Sequence, residues 1–291
     1  MGQATSTNPV LCRVDERGVA YVALNRPQVY NAYNGDMIAA LFAAFDKLAR
    51  RESARVIVIT GKGRNFQAGA DVKWLDAVRR SSPEDNLRAS RMTAEAIQRL
   101  NALPIGTVAL VQGVCFGGGT GMIAACDIVI AADDAVFSIA EVRIGVAGTI
   151  IVPQLNDAIG VRQVRRYALT AERFDVKEAY RIGLVHEMVP IAELQTAGER
   201  IVGHLLANGP EAIAQTKACS LRSTWSNLKD DVFAELIESH AAKRQSEEAA
   251  KGLASFLEKR PARWNRAQKP KVKRRETRHV SQYLCPSCHG S

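Results

Sequence analysis

Two glycine-rich segments have the residue types that could stabilise negative charge developing on a bound ligand. The first spans residues 61–71 and the second spans residues 113–121, and each directly follows an apolar run that predicts a buried strand. Glycine turns let a ligand approach the backbone closely, and a turn that opens a helix also presents free N–H groups to an anion. Neither segment has the spacing of a dinucleotide-binding or P-loop motif. Taken separately, each segment fits either anion binding or a tight strand-to-helix turn.

The two segments form a more specific combination when they are considered together with their surroundings. The first contains FQAGAD at residues 66–71, and the second contains GGG at residues 117–119, followed by CDI at residues 126–128. With NRP and NA upstream and AEVRIG downstream, this order resembles the crotonase (enoyl-CoA hydratase/isomerase) family. The resemblance covers residues 25–189, and the helical end to about residue 264 also fits. It implies an α/β fold, a crotonase-like spiral of ββα units with a C-terminal helical region that builds homotrimers or hexamers.

The resemblance also implies a chemistry and the residues that perform it. Family members bind acyl-CoA thioesters and pass through an enolate-like state, whose oxygen is held by two backbone N–H groups. Matched position by position, these donors are Ala70 and Gly118, and Gly118 would lie at a helix N-terminus. Preorganised donors of this kind typically stabilise a transition state by about 3 kcal/mol. The substrate and CoA contacts are expected at Ala68, Asp71, Val72, Lys73, Gly117 and Gly121, with Lys73 as a phosphate contact.

The acid–base groups depart from the two-glutamate pattern that the resemblance supplies. One family position for glutamate matches Gly121, which cannot transfer a proton, and the other matches Glu141. A carboxylate in an apolar cleft has its protonated form favoured by desolvation, which suits a group that both takes and gives a proton. The alternative is a surface carboxylate beside Arg143. The resemblance favours Glu141 as the single catalytic residue.

One glutamate is compatible with more than one reaction. It could protonate Cα while water adds at Cβ of a 2-enoyl-CoA, or it could move a proton from the α- to the γ-carbon in an isomerase. The segment around Glu141 is similar to single-glutamate hydratases of the glutaconyl-CoA type, although residues 146–153 depart from the family's usual loop. We expect a hydratase of fatty-acid or branched-chain catabolism, with an isomerase as the alternative. A crotonase-fold binding protein that has lost its chemistry is the alternative from another class.

The elements that must position these residues follow from periodicity and caps. Apolar spacing predicts a helix over residues 35–51, and Ser82 with Pro83 and two acids predicts a helix start that runs to about residue 101. Asp175 and Glu178 form a capping-box arrangement, and Gly183 should stop that helix. Only helical patterns follow from residue 193 to about residue 264. The predicted strands are residues 19–24, 55–60, 105–111, 127–131, 135–139 and 185–189.

Composition places the chain among ordinary globular proteins. It has 291 residues with 47% hydrophobic and 24% charged, so a disordered or coiled-coil chain is excluded. No apolar run approaches the roughly 20 residues of a membrane span, and the first residues lack a secretory pattern. Six cysteines in a chain of this length do not make a disulfide framework, so we expect a reduced, cytoplasmic protein. His186 is expected to be structural, and His240 is expected on a surface or an interface.

The chain divides into three predicted parts. Residues 8–192 are expected to form the core with the acyl-CoA site, and residues 193–265 a helical oligomerisation region. Residues 266–291 form a basic tail that holds a large share of the net charge of +9, and we expect no fixed structure there. Its Cys285-x-x-Cys288-His289 motif matches a haem-attachment pattern without a haem domain around it. We expect no metal, no cofactor beyond the CoA of the substrate, and no nucleic-acid or membrane partner.

Overall fold

The computed structural model describes residues 8–50, 54–225 and 230–260. Strands and helices alternate up to about residue 190, and only helices follow. The strands are β1 (Val10–Val14), β2 (Val19–Leu24), β3 (Val56–Gly61), β4 (Gly106–Val111), β5 (Val114–Phe116), β6 (Ile128–Ala132), β7 (Val136–Ser138), β8 (Phe174–Asp175) and β9 (Glu187–Val189). The helices are α1 (Gly35–Ala49), α2 (Val72–Arg79), α3 (Pro83–Asn101), α4 (Gly118–Ala124), α5 (Val152–Thr170), α6 (Val176–Arg181), α7 (Leu194–Ala207), α8 (Pro210–Trp225), α9 (Asp230–Gln245) and α10 (Glu247–Leu257).

The larger sheet has six strands in the order β1-β2-β3-β4-β6-β9. All neighbours pair in parallel except β1, which is antiparallel to β2. Successive side chains of a strand point to opposite faces, so β3 sends Ile57 and Ile59 to one core and Val56 and Val58 to another. Helices α1 and α3 cover the first face, and α7 covers the second. Burial on both faces explains the continuous apolar run that predicted this strand.

A second sheet of three strands, in the order β5-β7-β8, begins directly where β4 ends. The chain changes sheets at Gly113, which adopts φ +57°, and a Cβ there would clash with the carbonyl oxygen of Arg64. The new direction carries β5 alongside the first glycine-rich segment, where Gln67 and Cys115 form an isolated parallel bridge. The two glycine-rich segments are therefore neighbours in space.

Several predicted helix ends are confirmed by their caps. The Ser82 side chain accepts a hydrogen bond from the backbone N–H of Asp85, and the Asp175 side chain accepts one from that of Glu178. Gly183 follows the C-terminal end of α6 with φ +89°. The side chains of Ser82 and Asp175 thus satisfy backbone donors that a helix start leaves unpaired.

The C-terminal helices pack around the same part of the core. Helix α9 lies against α3 and against a short 3₁₀ turn at Thr149–Ile151, and α10 lies against a second 3₁₀ turn at Glu141–Ile144. The approach of α10 is close, since a Cβ on Gly252 would overlap the backbone of Ile144. Among the described helices, none is long and apolar enough to cross a membrane. The basic tail and its cysteine motif lie outside the described residues.

Candidate active site

A cavity of about 450 Å³ opens where the two glycine-rich segments, the Glu141–Ile144 turn and the C-terminal helices meet. Both predicted oxyanion donors and Glu141 line it. Its remaining wall is mostly apolar. The apolar residues that line it include Val72, Leu75, Phe116, Ile144, Val146, Ile150, Ile151 and Phe256.

The backbone N–H of Ala70 is available to a ligand, because the β-bridge between Ala70 and Tyr33 does not use it. Tyr33 and Ala70 pair as an isolated parallel bridge. The Tyr33 N–H donates to the Gly69 carbonyl at 2.9 Å, and the Asp71 N–H donates to the Tyr33 carbonyl at 2.8 Å. A parallel bridge uses the groups on either side of Ala70, so the N–H of Ala70 itself donates to no backbone carbonyl of the described chain. That donor is free for a ligand in the cavity.

The second donor, Gly118, is the first residue of α4. Its N–H therefore belongs to the group that a helix start leaves unpaired, and the helix dipole adds positive potential there. The preceding residue, Gly117, is fixed by its N–H, which donates to the Ser138 carbonyl at 2.8 Å. A Cβ on Gly118 would lie 2.5 Å from the Tyr33 ring, so glycine is required at this position. The glycines serve to bring two backbone donors to one cavity.

Glu141 starts the 3₁₀ turn and is enclosed by two glycines. A Cβ on Gly117 would lie 3.0 Å from its Oε1, and a Cβ on Gly148 would lie 3.1 Å from its Cδ. Its Oε2 is buried and has no hydrogen-bond partner among the described residues. Burial raises the pKa of Glu141 from 4.5 to about 7, while a hydrogen bond from its own backbone lowers it. A group with this pKa can accept and donate a proton near neutral pH.

Arg143 does not neutralise Glu141. Its Nε and Nη2 donate to the Ala171 carbonyl at 3.1 and 2.7 Å, and it forms no ion pair within the described residues. The alternative of a surface carboxylate paired with Arg143 is therefore not what the structure shows. Tyr33 is the polar neighbour on the other side, and burial together with the charge of Glu141 raises the pKa of its phenol. The phenol stays protonated beside the carboxylate.

The other predicted site residues fall into two groups. Ala68, Val72 and Gly117 line the cavity with the donors. The side chain of Asp71 has a structural role. Its Oδ1 accepts the N–H of Lys73 at 3.0 Å and caps α2, and its Oδ2 pairs with Arg26 at 3.0 Å. Lys73 itself is exposed on the first turn of α2 and does not line the cavity.

Gly121 also lies outside the cavity wall. A Cβ there would fall far inside van der Waals contact with the Ile151 side chain, which covers this glycine. The place where two-glutamate relatives were expected to carry a further acid is therefore filled by an aliphatic side chain. This leaves Glu141 as the single acid on the cavity wall among the described residues.

His240 is a cavity residue that the sequence did not reveal. The expectation of a surface or interface position is wrong, because His240 is only 5% exposed within the chain itself and lines the cavity. His186 is structural as expected: its Nδ1 accepts the backbone N–H of Val129 at 3.0 Å. Ile237, His240 and Arg244 are buried at helical spacing on α9, and that spacing was the signal that could have placed His240 inside.

Three arginines lie at the rim of the cavity, a position that the sequence did not predict for any of them. Arg143, Arg173 and Arg260 line its edge and are exposed to solvent. Cations at this position can meet the phosphates of a CoA-sized ligand. Within the described ranges, no group of three or more histidine, cysteine or acidic side chains is arranged to hold a metal ion.

Comparison with known proteins agrees with this geometry. The model of the family "Enoyl-CoA hydratase/isomerase" matches residues 15–268. The hydroxycinnamoyl-CoA hydratase-lyase of Pseudomonas fluorescens is 32% identical, over 84% of this chain and 90% of its own. The short-chain-enoyl-CoA hydratase of Clostridium acetobutylicum is 27% identical, over 84% of this chain and 93% of its own. The crystal structure of an enoyl-CoA hydratase from Shewanella pealeana superposes with a TM-score of 0.72 at 32% identity, covering 88% of this chain and 96% of that one.

Proposed function

The chain belongs to the enoyl-CoA hydratase/isomerase family, and on that premise we propose that it adds water to a 2-enoyl-CoA to give a 3-hydroxyacyl-CoA. One observation carries the proposal. In the described part of the chain, two available backbone donors, from Ala70 and Gly118, face the same largely apolar cavity as the carboxylate of Glu141, whose Oε2 has no hydrogen-bond partner there. Hydration of an α,β-unsaturated thioester needs these groups: donors for the enolate oxygen and one group that moves a proton.

The donors act on the thioester oxygen. As a water oxygen forms a bond to Cβ, the electrons of the double bond shift to Cα and onto the thioester oxygen. The N–H groups of Ala70 and Gly118 stabilise that developing charge, and the dipole of α4 adds to the second donor. The donors are fixed before the substrate arrives, so no reorganisation of solvent is required in the transition state.

Glu141 moves the proton. Its carboxylate takes a proton from the attacking water and returns a proton to Cα, so that one hydrogen and one hydroxyl group are added and Glu141 ends as it began. The pKa of about 7 keeps both protonation states accessible near neutral pH. The same group therefore serves as base and acid in turn.

A double-bond isomerase is the second candidate, and the packing at Gly121 favours it. Ile151 covers the position of the further acid found in two-glutamate relatives, so an aliphatic side chain stands where an acid could have held water. A 1,3-shift of a proton needs only one carboxylate, and Glu141 can supply it. The two reactions share the enolate and differ in whether water enters the product.

Product analysis separates the two reactions. We would incubate the full chain with but-2-enoyl-CoA and hex-3-enoyl-CoA and measure the mass of each product thioester, together with the ultraviolet absorbance that appears when a double bond becomes conjugated with the thioester carbonyl. A gain of one water on the 2-enoyl substrate supports the hydratase. Conversion of the 3-enoyl to the 2-enoyl thioester, without water entering either substrate, would establish the isomerase instead.

The finer features of the assignment belong to the same proposal. We place the reaction in fatty-acid or branched-chain catabolism, in the cytoplasm, in a homotrimer or hexamer that binds no cofactor beyond the substrate's CoA. The similarity to family members supports this, and sedimentation equilibrium of the purified chain tests the oligomer. A monomer at micromolar concentration would contradict it.

A further inference from the structure

Tyr33 connects the two segments that supply the oxyanion donors. Its backbone forms the β-bridge with Ala70. Its ring lies against Gly118, where the position of a Cβ would be 2.5 Å from the ring Cε1 and 3.3 Å from the phenol Oη. The ring also packs on Trp74 at an angle of 64°, with the ring centres 5.8 Å apart. The main chain and the ring together hold the phenol beside both donors.

The Oη of Tyr33 lies on the side of Gly118 to which its N–H points. The Cα–Cβ bonds of a helix are inclined towards the helix N-terminus, and the unpaired N–H groups of the first turn point the same way. Gly118 is the first residue of α4, and the Oη is close to its Cβ position. A ligand oxygen that accepts from the N–H of Gly118 is therefore a neighbour of the Tyr33 hydroxyl.

The hydroxyl of Tyr33 keeps its hydrogen available for a ligand. Tyr33 lines the cavity, and its Oη forms no hydrogen bond within the described residues. A hydrogen bond to Glu141 would favour the carboxylate and lower its pKa, whereas burial raises the pKa of Glu141 to about 7 and only its own backbone opposes this. Burial and the charge of Glu141 raise the pKa of Tyr33, so the phenol is protonated at neutral pH.

We propose that the Tyr33 hydroxyl donates a third hydrogen bond to the thioester oxygen as the enolate forms. The proposal rests on the proposed function, in which this oxygen gains negative charge. The O–H bond of Tyr33 stays intact, and Glu141 alone takes up and releases a proton. Because a preorganised donor acts most strongly on the charge that develops in the transition state, the phenol lowers the barrier more than it tightens substrate binding.

A competing role for the same hydroxyl is to hold the water that adds to Cβ. The position of the Oη beside Gly118 favours the thioester oxygen, because Cβ lies two bonds further along the acyl chain than the carbonyl carbon. The two roles differ in a reaction that forms the enolate and adds no water. A third donor is needed in that reaction, and a group that holds the attacking water is not.

Exchange of the α-hydrogens of butanoyl-CoA in D₂O is such a reaction, since Glu141 removes one hydrogen and returns a deuteron. We would measure this exchange and the hydration of but-2-enoyl-CoA for Tyr33→Phe, which keeps the ring and removes only the Oη. We expect kcat for both reactions to fall by a similar factor of at least about 10, as loss of a preorganised donor does. The Kd for butanoyl-CoA should stay within about 3-fold of the wild type.

Tyr180→Phe is the matched control, because Tyr180 is exposed on α6 and does not line the cavity. Both of its rates should equal those of the wild type. Unchanged hydration in Tyr33→Phe overturns the proposal. Lowered hydration with normal exchange also overturns it, since the hydroxyl would then act on the attacking water.

The binding measurement separates a donor from a residue that only packs. A rise in the Kd of Tyr33→Phe for butanoyl-CoA as large as the fall in its rates would overturn the proposal, because the loss would then lie in ground-state binding. Exchange by the wild type without hydration of any 2-enoyl-CoA would instead contradict the hydratase function. The exchange rate of Tyr33→Phe would still decide the role of Tyr33.

Discussion

Glu141 shows how the surroundings of one side chain set its chemistry. The carboxylate is enclosed by two glycines that leave no room for further side chains, and its Oε2 lacks a hydrogen-bond donor among the described residues. Burial without a cationic partner favours the neutral form and raises the pKa to about 7. Burial therefore destabilises the ionised form of Glu141, and the raised pKa allows the group to take up and release a proton near neutral pH.

This burial has a consequence for the pH dependence of stability. The folded-state pKa of Glu141 is raised above its ordinary value of 4.5, so its contribution to stability is fully present below pH 4.5 and is lost as pH rises to about 7. Removing the charge in Glu141→Gln should cancel this loss. We predict equal free energies of unfolding for wild type and variant near pH 4, and a more stable variant by about 3 kcal/mol at pH 8.

Urea unfolding at pH 4, 6 and 8 measures this difference. Glu16→Gln is the matched control, because Glu16 is exposed and should follow the wild type at each pH. A stability difference between wild type and Glu141→Gln that does not change with pH would show that the carboxylate is not desolvated in the folded state.

At the scale of elements, the start of α4 depends on the turn packed over it. Gly121 lies one helical turn into α4, and Ile151 of the Thr149–Ile151 turn covers it. An added methyl group would have to displace this side chain. We predict that Gly121→Ala lowers the free energy of unfolding by about 1–3 kcal/mol, as overpacking a filled core does.

Gly203 provides the matched control on another helix. It lies in α7, where nothing is within 4 Å of the position that a Cβ would take. Gly203→Ala should therefore stabilise the protein by up to about 1 kcal/mol, through helix propensity alone. Equal effects of the two substitutions in thermal unfolding would contradict the packing that we describe.

The packing of Ile151 over Gly121 also means that Gly121→Glu would disrupt the site before it could restore a second acid.

Local signals predicted the framework of the site well. The caps at Ser82 and Asp175, the strand over residues 19–24 and the helix from Pro83 to Asn101 are all present, because each depends on a few neighbouring residues. The two glycine-rich segments also follow strands directly, as predicted, whereas their part as oxyanion donors was implied only by the family resemblance.

Features that depend on distant residues were not predictable in this way. Short strands such as β5 and β8 have too few residues for a period, and the cover of Gly121 by Ile151 joins residues 30 positions apart. The spacing of Ile237 and His240 could have placed His240 on the inner face of α9, but its contact with Ser90 on α3 follows only from the folded chain. Such long-range contacts determine which side chains line the cavity.

At the scale of the whole molecule, the C-terminal helices complete the cavity. Ser255, Phe256 and Arg260 line it from α10 and the residues after it, and His240 lines it from α9. We predict that deletion of residues 246–291 lowers kcat/KM by at least about 100-fold, since these side chains are removed from the wall. Deletion of residues 266–291 should leave kcat/KM within about 2-fold of the wild type.

Comparison of the two truncated chains in one hydration assay tests this prediction. Loss of activity on removing residues 266–291 alone would assign the basic tail a part in catalysis. Retained activity without residues 246–291 would show that α10 is not part of the working site.

Whether Glu141 moves the proton is tested by measuring turnover and ligand binding of Glu141→Gln in parallel. We predict that hydration of a 2-enoyl-CoA falls by at least about 100-fold, because general acid–base catalysis contributes at least that much. The Kd for the saturated acyl-CoA of the same length should stay within about 3-fold, since the donors of Ala70 and Gly118 are untouched. Normal turnover in Glu141→Gln, with Glu16→Gln also normal, would contradict Glu141 as the group that moves the proton.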